Sequence, residues 1–134
     1  MTALGNYCMT ADKAASFYIL DRGYMDFARL YSLHQHGAFF VIRAKSNLRS
    51  QRIVSRPVDK TTDLRSDQTI GLTGLQSKSD YPEALRRVRF YDRKNGRYLI
   101  FLTNNFLQPA LTIAKLYKPR WQVELFFRWI KQNL

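Results

Sequence analysis

The chain is poor in the residues that anchor several large protein classes. Its 134 residues include a single cysteine, Cys8, so no internal disulfide can form, and one thiol cannot hold a zinc ion by itself. No apolar run approaches the ~20 residues that span a bilayer as a helix. Asp12 and Lys13 break the N-terminal stretch where a secretory signal needs an apolar core. Internal repeats and low-complexity segments are absent. Acid is scarce as well: 10 Asp and Glu face 22 Lys and Arg, for a net charge of +12, and only Glu83 and Glu124 are glutamates.

What is present is a folded, basic chain. Hydrophobic residues make up 46% and aromatics 14%, enough for one domain with its own core. A pI near 10.2 points to a nucleic-acid partner. A polybasic membrane-surface protein would carry its charge on an amphipathic helix or a tail, whereas here arginine is spread through strand-like segments, which argues against a membrane. Arginine outnumbers lysine 14 to 8, as suits bidentate phosphate contacts. His34 and His36 fall near the end of a helix, where capping or surface roles fit better than metal binding.

Periodicity organises the chain in three blocks. In 1–45, residues 1–15 read as a helix packed before an apolar strand at 16–21. A helix over 25–36 follows, stopped by Gly37, and then a strand at 38–42. Strand–helix–strand with so short a helix is a crossover that makes the two strands parallel. Block 46–97 is polar and carries 13 Lys and Arg against 6 Asp and Glu when counted from Lys45. Its β-like pieces near 51–56, 68–73 and 86–92, with an Asn95-Gly96 hairpin signal, read as a mostly antiparallel insertion. Some of its cations are expected to touch a polyanion backbone. Block 98–134 returns through a strand running from Arg97 to Asn105. Pro109 opens a helix over 109–117, and a final helix restarts near Pro119 and runs to about 133.

Two segments carry chemistry. On a helix turning about 100° per residue, Tyr117, Arg120, Glu124, Arg128 and Lys131 share one stripe about 80° wide, with apolar flanks. A helix apolar on most sides is buried, so this stripe must face something polar. The spacing is also that of an ordinary salt-bridge ladder. The other segment is the apolar strand Phe17-Tyr-Ile-Leu, which ends in Asp21-Arg-Gly-Tyr24. A carboxylate at a strand exit is rigidly held yet accessible, as functional carboxylates often are; capping of the next turn is the simpler role.

The wording Tyr, two residues, Arg, three residues, Glu, six residues, Lys resembles the signature of bacterial DDE transposases of insertion sequence family four, the Y-R-E-K group. Tyr117, Arg120, Glu124 and Lys131 match it without adjustment, the Arg120-Trp121 pair and Phe127 look alike too, and the strand ending in Asp21-Arg-Gly-Tyr is similar to the context of that family's second aspartate. The resemblance implies an α/β, ribonuclease H-like fold in partial form: a mixed sheet with helices, interrupted by a β-rich insertion. It implies metal-dependent DNA cleavage and strand transfer at insertion-sequence ends, with two Mg²⁺ or Mn²⁺ ions. Asp21 and Glu124 become catalytic metal ligands, and Tyr117, Arg120 and Lys131 become binders of DNA phosphates.

The family's first aspartate lies on a strand well before the second. Only 20 residues precede Asp21, so that carboxylate is expected outside this chain. The chain then reads as a piece truncated at both ends, inactive alone, with an exposed edge on strand 16–21 and poor solubility. The contrasting reading is a non-catalytic basic DNA-binding fragment that interferes with an intact transposase. Either way the implied partners are transposon-end DNA and a second copy or an intact transposase, in bacterial cytoplasm at the nucleoid.

Overall fold

The computed structural model describes residues 6–10, 16–20 and 26–117. These form strands β1 (Asn6–Thr10), β2 (Ser16–Leu20), β3 (Phe39–Arg43), β4 (Ser50–Arg56), β5 (Leu64–Leu72), β6 (Leu85–Asp92) and β7 (Arg97–Thr103), with helices α1 (Phe27–Gln35), α2 (Leu75–Asp80) and α3 (Ala110–Leu116). The seven strands make one sheet in the order β1-β2-β3-β7-β6-β5-β4. β2 and β3 are parallel; every other neighbouring pair is antiparallel.

The β2–α1–β3 crossover is present as the spacing predicts. α1 starts because the Asp26 side chain accepts from the amides of Ala28 at 3.1 Å and Arg29 at 3.3 Å, satisfying donors that the first turn leaves free. It stops at Gly37, whose φ of +76° costs a glycine little. The Asn-Gly signal is also real. Asp92 pairs with Arg97 across the β6–β7 turn, and Gly96 takes φ +62°.

Two expectations change. The N-terminal helix gives way, over Asn6–Thr10, to a strand whose backbone pairs antiparallel with β2 from Asn6↔Leu20 to Thr10↔Ser16. β2 is therefore flanked on both sides, and the open edge expected on it passes to β1; pairing a hydrogen-bonding edge outweighs a weak local helix preference. The meander β4–β5–β6 is antiparallel, as its turn signals predict, and it continues the main sheet because β6 pairs along its length with β7. The final helix expected near 119–133 lies outside the described residues.

The sheet buries apolar side chains on both faces. One face carries Ile19, Val41, Leu64, Val88, Leu99 and Phe101, closed by Ala110, Ile113, Ala114 and Leu116 of α3. The other carries Leu20, Phe40, Ile42, Ile70, Leu72, Leu85 and Leu102, closed by Leu30 of α1 and by Tyr81 after α2. Each large side chain fully buried here stabilises the fold by about 1.5–3 kcal/mol. α1 and α2 are short and cover only part of their face.

Candidate nucleic-acid interface and catalytic residues

β2 ends at Leu20, one residue before Asp21. Asp21 itself lies outside the described residues, as do Arg120, Glu124 and Lys131. Tyr117 is described. It caps the C-terminal end of α3, and its half-buried ring packs on Phe101 with centroids 5.3 Å apart. Phe101 pairs with Arg43, the residue after Ile42, and Ile42 pairs with Leu20. The seat of Tyr117 is thus at the end of the sheet where β2 runs out. Among the described residues no group of three His, Cys, Asp or Glu could hold a metal ion.

The loop that delivers α3 is braced by a buried ion pair. Arg86 is 4% and Asp67 5% exposed. Arg86 donates to both carboxylate oxygens, at 2.9 Å from Nε and 2.8 Å from Nη2. Its Nη1 donates to the carbonyls of Asn105 at 3.2 Å and Gln108 at 2.6 Å. Arg56 adds a bond to Asp67 at 3.1 Å and another to Thr69 at 2.8 Å. Burial pushes the Asp67 carboxyl up, but the two arginines outweigh it and hold it below the usual carboxylate range. Asn105 Oδ1 accepts from the amides of Leu107 and Gln108, both at 2.9 Å, which fixes the turn into α3. Sequence reading missed this brace, since Asp67 and Arg86 are 19 positions apart and no local pattern joins them.

His34 is part of a polar cluster near the end of α1. Its Nδ1 lies 2.8 Å from the Tyr81 hydroxyl, and its Nε2 lies 3.2 Å from Glu83, which also accepts from Tyr31 at 3.2 Å. Burial, then the charges of Glu83 and Tyr31, push the Tyr81 hydroxyl well above its ordinary pKa. His36 bonds the Ser32 carbonyl at 2.6 Å, near the end of α1. The strand end at Asn104 is structural: its amide accepts from Phe40 N at 3.0 Å and donates to Ala38 O at 2.9 Å.

Beyond the part covered by α1 and α2, the described residues of the second face form a partly exposed, cationic surface. In β6, residues 85, 87, 89 and 91 face it, and in β7 the partners are Leu102, Ile100 and Tyr98. The Arg89 guanidinium lies 4.1 Å from the Tyr98 ring centroid, and Arg65 lies 5.7 Å from that of Tyr91. The two tyrosine rings are 5.0 Å apart. Burial, then the charge of Arg89, draws the Arg87 pKa down. Among the described residues, Arg65, Arg87 and Arg89 make no ion pair with a carboxylate. The signal for this surface was legible in Arg87-Val88-Arg89, since residues two apart on a strand share a face.

A family model described as a transposase DDE domain matches residues 9–134. The chain is 40% identical over 129 residues to a putative transposase of Sinorhizobium fredii, an alignment that covers 92% of this chain and 35% of that protein. It is 35% identical over 123 residues to a probable transposase for an insertion sequence element of Geobacillus stearothermophilus, covering 90% of this chain and 32% of that protein. The chain thus spans about a third of the length of these curated relatives. No solved structure matches it.

Proposed function

The chain belongs to the DDE transposase domain family, and from that membership we propose that it supplies part of the catalytic centre of an insertion-sequence transposase of family four. The observation that carries this reading is the family match extending through Asp21 and the full set Tyr117, Arg120, Glu124 and Lys131. Asp21 and Glu124 would hold divalent metal, as their hard carboxylate oxygens suit Mg²⁺ or Mn²⁺. The chemistry supplied by such ions when bound is activation of a water or 3′-hydroxyl and stabilisation of the leaving oxygen.

The chain's own residues orient the DNA. Arg120 would clamp a phosphate with its bidentate fork, and Lys131 would add a point charge. Tyr117, steadied by its ring contact with Phe101, would offer a hydroxyl to the same backbone. The third carboxylate would come from the remainder of a longer protein, and 46–97 would act as an insertion between the second and third ligands. We infer a bacterial, nucleoid-associated protein that works at transposon ends beside a second copy or an intact transposase.

The test joins this chain to the preceding part of a full-length relative and offers plasmid DNA bearing insertion-sequence ends. Cleavage is expected with Mg²⁺ and should vanish with chelator and in Asp21→Asn and Glu124→Gln. DNA retained without cleavage would overturn the catalytic reading in favour of a binding fragment that interferes with an intact transposase.

A further inference from the structure

We propose that the open half of the sheet, formed by Arg65, Arg87, Arg89, Tyr91 and Tyr98, is a second DNA-backbone site. It takes phosphodiester oxygens of a duplex segment other than the one bound at Tyr117, Arg120 and Lys131. The inference rests on the transposase reading only for naming the polyanion as DNA.

Three observations carry it. The first is charge without compensation. The nearby carboxylates are already engaged, Asp63 by Arg93, Asp92 by Arg97, and Asp67 by Arg86 and Arg56. Arg87 and Arg89 stand side by side on one strand face with no carboxylate partner among the described residues. Like charges held together this way repel, and an anion placed between them relieves the repulsion.

The second is preorganisation. Arg89 rests on Tyr98, Tyr98 leans on Tyr91, and Arg65 rests on Tyr91. Attraction between a guanidinium and a ring face fixes the direction of each fork, so less side-chain freedom is lost when a phosphate binds. Tyr98 is 51% exposed, so the array is reachable.

The third is position. β7 alternates: Leu99 and Phe101 pack with α3 on the face that seats Tyr117, while Tyr98, Ile100 and Leu102 point the other way. The sheet lies between the arginine array and the seat of Tyr117. A duplex is stiff over about 150 base pairs, so one short segment cannot touch both.

The experiment titrates the 134-residue chain with a labelled duplex of about 12 base pairs over a range of salt. Wild type is expected to take two duplexes per chain. Arg87→Gln/Arg89→Gln should take one, with the log–log salt slope smaller by about 2. Arg120→Gln/Lys131→Gln should also take one. Arg89→Gln alone, at a partly exposed position, guards against misfolding of the double variant and should lower the slope by about 1. Tyr98→Phe keeps the ring and should bind as wild type; Tyr98→Leu should bind several-fold more weakly.

An unchanged affinity and slope in the Arg87/Arg89 variants would overturn the proposal, as would competition by poly-glutamate equal to that by DNA. Loss confined to the Arg120/Lys131 variant would sink the array and leave the transposase reading intact. Loss confined to the array variants would do the reverse.

Discussion

Arg86 and Arg87 are neighbours on one strand with opposite surroundings. Arg86 points to the face closed by α3, is buried, and spends its fork on Asp67 and its remaining donors on two carbonyls. Arg87 points to the open face, and its one described side-chain bond is a long 3.5 Å contact to Gln68. Side-chain alternation in a strand is enough to produce this contrast. A buried arginine must be fully paired because desolvation of a lone charge is ruinous. A partly exposed one can stay unneutralised, at the cost of repulsion from Arg89. The same residue type therefore holds the fold together on one side and leaves a field available for a ligand on the other.

The sharpest way to break this contrast is to remove Arg86. Arg86→Met leaves Asp67 buried with only Arg56, and should cost about 3–5 kcal/mol, read as a drop in the urea midpoint at unchanged slope. A smaller effect should follow pH. The folded-state pKa of Asp67 lies below its unfolded value of about 4, so the native state binds fewer protons than the unfolded one. Its contribution is fully present above the unfolded value and is lost as pH falls through the folded one. Unfolding midpoints measured downward from pH 5 should fall, and less steeply in Asp67→Asn.

Smaller again is Gly96→Ala, which forces a Cβ into φ +62° and should cost about 1–2 kcal/mol. Asp26→Ala, which removes the α1 cap, should cost about 1 kcal/mol. The mildest change sharpens the comparison most: Arg89→Gln should shift stability by less than about 0.5 kcal/mol, because nothing folded depends on it. A loss as large as that of Arg86 would show that the open face is as structural as the closed one.

Much of the fold was legible because its signals are local. Gly37 marks the end of α1, Asn95-Gly96 marks the hairpin, and a short helix between two apolar strands dictates their parallel pairing; the Asp26 cap that starts α1 went unread. β1 escaped because Asn6–Thr10 is mixed in character and is a strand only by virtue of the β2 edge beside it. The Asp67–Arg86 brace escaped because strand register, not sequence spacing, brings the two together. Of the candidate site, Tyr117 and the strand leading to Asp21 fall among the described residues. The roles of Asp21, Arg120, Glu124 and Lys131 rest on their wording alone.

One consequence follows from the pairing of β3 with β7. Arg43 faces Phe101 directly, and the Ala44 amide donates to the Ile100 carbonyl at 2.8 Å. Everything from 45 to 99 therefore departs from and returns to one point of the sheet, as a hairpin loop does, however much structure it contains. Closing such a loop becomes only slowly more costly as it lengthens. A different module could replace this stretch without rethreading β2, β3 and β7, provided it supplies a strand for β7 and side chains in place of Leu64, Ile70, Leu72, Tyr81, Leu85 and Val88. The replacement would have to bring its own prop for residues 104–109, because Arg86 leaves with the original.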